Sequence, residues 1–221
     1  MTEVTALRAV LFDLDGTLVR TFIDFPAMRA AVMVQARDRF GVSRLSASDT
    51  LEMIAETLAH LPESERSAAR QSLYSVVEEC ERHGCAAPEA IPGAEALLRA
   101  LRARDVRVGI VTRNARAIAS DLVTRMRLPH DTLVAREDTA SFKPDPEPVR
   151  LACTRLGVEA RHCAMVGDLW ADVAAGAVAG CALTIGIQWA TDPAGRFERS
   201  VPSFVVGSLE EAGVILIAKV P

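Results

Sequence analysis

Apolar positions change their spacing along this chain. Residues 9–12 form an uninterrupted apolar run of strand length, the pattern of a strand buried on both faces. From Phe25 to about His83 the spacing becomes helical. Met28, Ala31, Val32 and Val34 are interleaved with Arg29, Arg37 and Asp38. Leu51, Ile54, Ala55, Leu58 and Ala59 predict a helix over 46–60, with Ser46 or Ser48 as its N-cap. Pro62 followed by Glu63 and Glu65 predicts another helix start, because proline suits the first turn and acids suit its dipole. That helix is expected to end at Gly84, a residue suited to a helix C-cap.

After Pro92-Gly93 strands and helices alternate. Helices are predicted over 94–104, 115–125, 146–156 and 170–179, and from Leu209 onward. Strands are predicted over 106–111, 132–135, 163–166, 181–185 and 204–206. Such alternation implies a parallel sheet wrapped by helices. The all-helical block interrupts it directly after the first strand. The expected fold is therefore α/β: a three-layer, Rossmann-like parallel-sheet core with an inserted all-helical cap domain. The core is expected to comprise 1–19 and 89–221, and the cap 20–88. Two linkers beside a strand end would make a hinge.

Composition narrows the function. A net charge of −4 with dispersed basic residues gives no electrostatic reason to expect nucleic acid as a partner. No apolar run approaches the length that spans a membrane, and a core strand begins within ten residues of the start. The five cysteines are odd in number and lack CxxC spacing, which predicts reduced thiols and a cytoplasmic location. His83 and Cys85 have no second ligand pair and read as a helix end. The chain has 23 arginines but only two lysines, Lys143 and Lys219. Each lysine therefore invites a reason for its retention.

Asp13 and Asp15 follow the 9–12 run, one residue apart, and Gly16 follows them. Neighbouring carboxylates raise each other's pKa unless a cation sits between them or one stays protonated. That cost points to a metal site or to acid–base chemistry. Three further segments stand where the chain leaves strands or enters helices: Thr112-Arg113-Asn114, Lys143-Pro144-Asp145-Pro146 and Gly167-Asp168-Leu169-Trp170-Ala171-Asp172. These four segments, in this order and with a helical insert after the first strand, resemble the haloacid dehalogenase superfamily. The resemblance covers essentially the whole chain and favours the phosphoglycolate phosphatase-like branch.

The resemblance implies a Mg2+-dependent phosphatase that hydrolyses a small phosphorylated metabolite through an aspartyl-phosphate. In that reading Asp13 is the nucleophile, and Asp15 protonates the leaving alcohol and then activates water. Thr112 and the Arg113 backbone N–H bind phosphoryl oxygens, and Lys143 neutralises charge. Asp13, Asp168 and the backbone carbonyl of Asp15 hold the metal, with Asp172 orienting that shell or binding through water. Thr112 would also serve as a helix cap, and so would Asp172. Arg20 and Arg44 are candidate substrate contacts, as are Phe22 and Phe25. Trp170 and Trp189 read as packing residues. Asp15 argues against a dehalogenase, since a halide leaves without a proton. A sugar-phosphate mutase shares both acids and is the alternative; a non-catalytic binding protein is a further one. Many relatives continue the first motif with Asp-Ser where this chain has Arg20-Thr21, which leaves the substrate open. Monomer and homodimer are equally compatible with the sequence.

Overall fold

The computed structural model describes residues 6–192 and 195–220. They form two compact units, with boundaries at Thr21/Phe22 and Ala87/Pro88. In chain order the elements are β1 (Ala9–Phe12), β2 (Val19–Arg20), α1 (Phe25–Phe40), α2 (Thr50–Ala59), α3 (Glu63–Gly84), β3 (Glu89–Ala90), α4 (Ala94–Arg102) and β4 (Arg107–Val111). They continue as α5 (Arg116–Arg125), β5 (Thr132–Val134), α6 (Glu147–Leu156), β6 (Cys163–Gly167), α7 (Trp170–Ala179), β7 (Leu183–Ile187), β8 (Phe204–Val206) and α8 (Leu209–Ile217).

The first unit is built on a six-stranded sheet in the order β5-β4-β1-β6-β7-β8. Every neighbouring pair is parallel. β1 lies between β4 and β6, pairing Phe12 with Ile110 on one side and with Val166 on the other. Strand order reverses at β1, and ligands of open α/β sheets bind at such a switch point, outside the carboxyl ends of the strands. All four β1 residues are fully buried. Burying Leu11 and Phe12 contributes roughly 1.5–3 kcal/mol each, which anchors the residues that follow.

Several expected boundaries shift. The expected 181–185 strand forms as Leu183–Ile187, because pairing to β6 starts at Ala164 opposite Leu183. A two-stranded antiparallel ribbon, Val19 with Ala90 and Arg20 with Glu89, was not predicted. It places Arg20 in the first unit rather than among the helices. Strands of two residues carry too little alternation to be read from sequence.

The second unit is all-helical, with α1 packed against α2 and α3. Asp24 caps α1 by accepting from Ala27 N–H, and Gly41 ends it in a left-handed turn. The N-cap of α2 is Asp49, not Ser46 or Ser48; its carboxylate accepts from Leu51 and Glu52 N–H. Ser46 instead donates to Glu56 through both its N–H and its hydroxyl. Gly84 belongs to α3, and Cys85 is the C-cap. A Cβ at position 84 would lie 2.5 Å from the Ile23 main chain, so close backbone approach, not helix termination, requires glycine there.

Candidate active site

Asp13 stands one residue beyond β1, its N–H donating to Val166 O at 2.9 Å. Gly16 turns the chain sharply behind it, with φ of +83°. A Cβ there would also meet the Asp168 carboxylate at 2.6 Å. The loop before α6 carries Lys143, which is only 1% exposed. Its ammonium donates to Asp13 Oδ1 at 2.6 Å, Asp172 Oδ1 at 2.5 Å and Val111 O at 2.7 Å. An ammonium has three donors, so all are used, and the group is fixed as a point charge between two buried carboxylates.

Asp13, Asp168 and Asp172 come together from the ends of β1 and β6 and the first turn of α7. Carboxylate oxygens of all three lie within 4.8 Å of one another. Asp172 is engaged on both oxygens, since Oδ2 accepts from Leu169 N–H at 3.1 Å. Asp168 accepts from the Thr17 hydroxyl at 3.3 Å and from Arg196 at 2.9 Å. Asp15 is half-buried, and its Oδ1 accepts from the Thr21 hydroxyl at 2.7 Å and the Thr21 N–H at 3.2 Å. Thr112 is buried just beyond the carboxyl end of β4; its hydroxyl donates to Asn114 Oδ1 at 2.8 Å. The Arg113 guanidinium stacks over Phe142, the residue before Lys143, 5.3 Å from the ring centre.

The electrostatics follow from burial. Desolvation pushes the Asp13 carboxyl up to about 7; the Lys143 charge opposes this and the Asp172 charge adds to it. Asp168 is held well above the carboxylate range by burial first, then by the charges of Asp13 and Asp172, with Arg196 opposing. Burial also raises Asp15, against the lowering effect of the Thr21 bonds. For Lys143 burial acts downward, but Asp13 and Asp172 together outweigh it and raise the pKa.

These directions give a pH prediction. Folded Asp13 keeps its proton to about 7, whereas an unfolded aspartate loses it near 4. Between those values the folded chain holds more protons, so its stability falls as pH rises. Asp15 and Asp168 shift in the same direction. In chelator, calorimetry should give a higher melting temperature at about pH 5 than at about pH 7.5, and a divalent cation should narrow the gap. A melting temperature that rises across this window in chelator would contradict the assigned electrostatics.

Arg20 is exposed on β2 and pairs with Glu89 at 3.6 Å. Arg44 is exposed in the segment between α1 and α2 of the second unit, and Phe22 and Phe25 are exposed at that unit's start. Trp189 is more than packing: its indole N–H donates to Gly16 O at 2.8 Å, securing the turn behind Asp13. Trp170 lies under the Arg199 guanidinium at 3.7 Å. Thr21, Trp189 and Arg196 are contacts that sequence reasoning missed. Only Thr21 gave a signal, as a hydroxyl residue directly after β2 and close in sequence to Asp15.

A buried carboxylate, a buried lysine and clustered acids thus stand together at the switch point of the parallel sheet. Residues 7–180 match the haloacid dehalogenase-like hydrolase family, and the chain belongs to it. Among curated relatives, a phosphoglycolate phosphatase of Cupriavidus necator is 35% identical over 78% of this chain and 77% of its own length. The pyrophosphatase PpaX of Bacillus velezensis is 31% identical over 93% of this chain and 94% of its own. A hydrolase from Pseudomonas syringae shares the fold, with a TM-score of 0.68 at 19% identity over 97% of this chain and all of that one.

Proposed function

We propose that the protein is a Mg2+-dependent phosphatase that cleaves a small-molecule phosphate monoester through an aspartyl-phosphate on Asp13. The observation that carries this reading is the Lys143 ammonium, shared between Asp13 and Asp172 beside Asp168. A carboxylate attacks a phosphate dianion poorly unless fixed cations offset the charge. The phosphatase and pyrophosphatase relatives support the same class of reaction.

The donor set fits a hard divalent cation. Asp13 and Asp168 present oxygens to one space, and burial makes their joint ionisation costly without a cation. They would hold Mg2+ with the Asp15 carbonyl, while Asp172, occupied by Lys143 and Leu169, would act through water. When bound, the ion supplies charge neutralisation for the phosphoryl oxygens.

This chain's own groups supply the rest. Lys143 fixes one oxygen of Asp13 and leaves the other to attack phosphorus. The bond from phosphorus to the leaving oxygen breaks as the Asp13–phosphorus bond forms. Asp15, whose carboxyl burial pushes upward, donates a proton to the departing alkoxide. Thr21 holds that carboxyl by its hydroxyl and N–H. Asp15 then takes a proton from the water that attacks the aspartyl-phosphate, releasing inorganic phosphate and restoring Asp13. The Arg113 N–H binds a phosphoryl oxygen, and the Thr112 hydroxyl binds another once its proton turns from Asn114 Oδ1. The odd number of cysteines and their lack of CxxC spacing support a cytoplasmic setting.

Asp15→Asn tests the proton role. It keeps the size of the side chain but cannot donate to an alkoxide or deprotonate water. Turnover of alkyl phosphates should fall roughly 10²- to 10⁴-fold. The loss should be smaller for p-nitrophenyl phosphate in the first, phosphoryl-transfer step, and the phosphoenzyme should accumulate. Equal first-step losses on both substrates without accumulation would remove Asp15 from proton transfer. Product analysis separates the alternative: inorganic phosphate marks a phosphatase, an isomerised sugar phosphate a mutase.

A further inference from the structure

The segment after β7 carries a cation aimed at the acid cluster. Arg196 donates one nitrogen to Asp168 Oδ2 at 2.9 Å and pairs through the other with Asp192 Oδ1 at 2.6 Å. Neither partner is a solvated surface group: Asp168 is buried, and the Arg196 and Asp192 side chains are 19% and 14% exposed. The anchor is itself built in. Asp192 Oδ2 accepts from Trp189 N–H at 3.0 Å, and Asp192 N–H returns to Trp189 O at 3.0 Å. The same Trp189 donates its indole N–H to Gly16 O. Beyond Arg196, Phe197 is buried against β7, so close that a Cβ on Gly186 would lie 2.5 Å from its ring. The guanidinium is thus tethered on both sides of its position in the chain.

We propose that Arg196 is a tethered counter-cation of Asp168, which neutralises this carboxylate in the metal-free protein and thereby weakens and tunes divalent-metal binding. This deepens the proposed function and rests on its reading that Asp168 holds the metal. Arg196 is a positioning residue: it acts through Asp168 and touches no reacting atom.

Two effects of removing it oppose each other. Loss of the fork frees Asp168 to rotate, which weakens metal binding. Loss of the charge removes a cation that repels the metal and competes for the same carboxylate. Charge wins here because other groups confine Asp168. The Thr17 hydroxyl bonds Oδ1, and the Gly16 backbone packs against the carboxylate so closely that a Cβ would meet it at 2.6 Å.

Titration calorimetry with Mg2+ on the full chain, after chelation, tests this without relying on activity. Arg196→Gln should bind Mg2+ about tenfold more tightly than the native protein, and its metal-free form should melt at a lower temperature. Arg196→Lys keeps the charge and should return the Mg2+ affinity toward the native value. Arg196→Met, which removes the charge but keeps much of the side chain's length, should match Arg196→Gln and serves as the test should Arg196→Gln fail to fold. Equal or weaker Mg2+ binding by Arg196→Gln, or an Arg196→Lys variant that matches Arg196→Gln, overturns the role of Arg196 alone. Absence of Mg2+ binding by the native protein overturns the metal reading itself, and the proposal with it.

Discussion

Asp13→Asn should lower turnover on the order of 10⁵-fold or more while leaving the protein folded. The amide is nearly isosteric with the carboxylate but cannot attack phosphorus. No second carboxylate can replace it. Asp172 is held on both oxygens by Lys143 and Leu169, and Asp168 is held by Thr17 and Arg196. The fold should tolerate the change because Lys143 keeps Asp172 and Val111 O as partners. Asparagine also removes a charge that Asp168 and Asp172 repel. The melting temperature in chelator should move by only a few degrees, corresponding to about 1 kcal/mol. Steady-state kinetics with thermal melts on one preparation checks both halves. Retention of even a hundredth of native turnover would remove Asp13 as the nucleophile.

Lys143→Met should damage both stability and chemistry. The native ammonium is enclosed and makes three bonds, two of them to buried carboxylates. Methionine fills similar space but leaves Asp13 and Asp172 facing each other without a cation. Removing one partner of a buried ion pair costs roughly 3–5 kcal/mol, much of it from the charge left behind. In a chain of this length that lowers the melting temperature by about 10 °C. The loss should shrink at acid pH, where Asp13, already raised to about 7, takes up a proton. Adding Asp172→Asn should recover part of it, because the two residues share one network. A Lys143→Met protein as stable as the native one, with the same response to pH, would show that the buried triad is not organised by charge. Turnover should be lost as well, since the transferring phosphoryl group loses its fixed cation.

The features legible in the sequence were those carried by long runs or fixed spacing. The apolar run 9–12 identified the central strand because burial on both faces excludes charge. Trp170–Ala179 and Phe204–Val206 formed as predicted. The resemblance and the rarity of lysine pointed to Lys143 as the cation beside Asp13; its bond to Asp172 was not anticipated. These hydrogen bonds cross 130 and 29 residues of sequence, which no local pattern encodes. Helix ends were harder to read. Asp49, Ser46 and Ser48 all suit an N-cap, and only Glu56, ten residues on, drew Ser46 into another role. The Trp189 bond to Gly16 spans 173 residues, and the Arg196 bond to Asp168 spans 28. Among 23 arginines nothing local marked Arg196. Its bond to Asp168 is an outcome of tertiary packing.

The central claim is a covalent bond between Asp13 and phosphorus. Its most direct test is peptide mass spectrometry of the Asp15→Asn protein, acid-quenched during turnover of p-nitrophenyl phosphate with Mg2+. The account predicts one added phosphoryl group on the peptide holding Asp13, lost on treatment with hydroxylamine and absent from an Asp13→Asn control. A phosphoryl group on any other residue, or turnover with no phosphorylated peptide at any quench time, would contradict it.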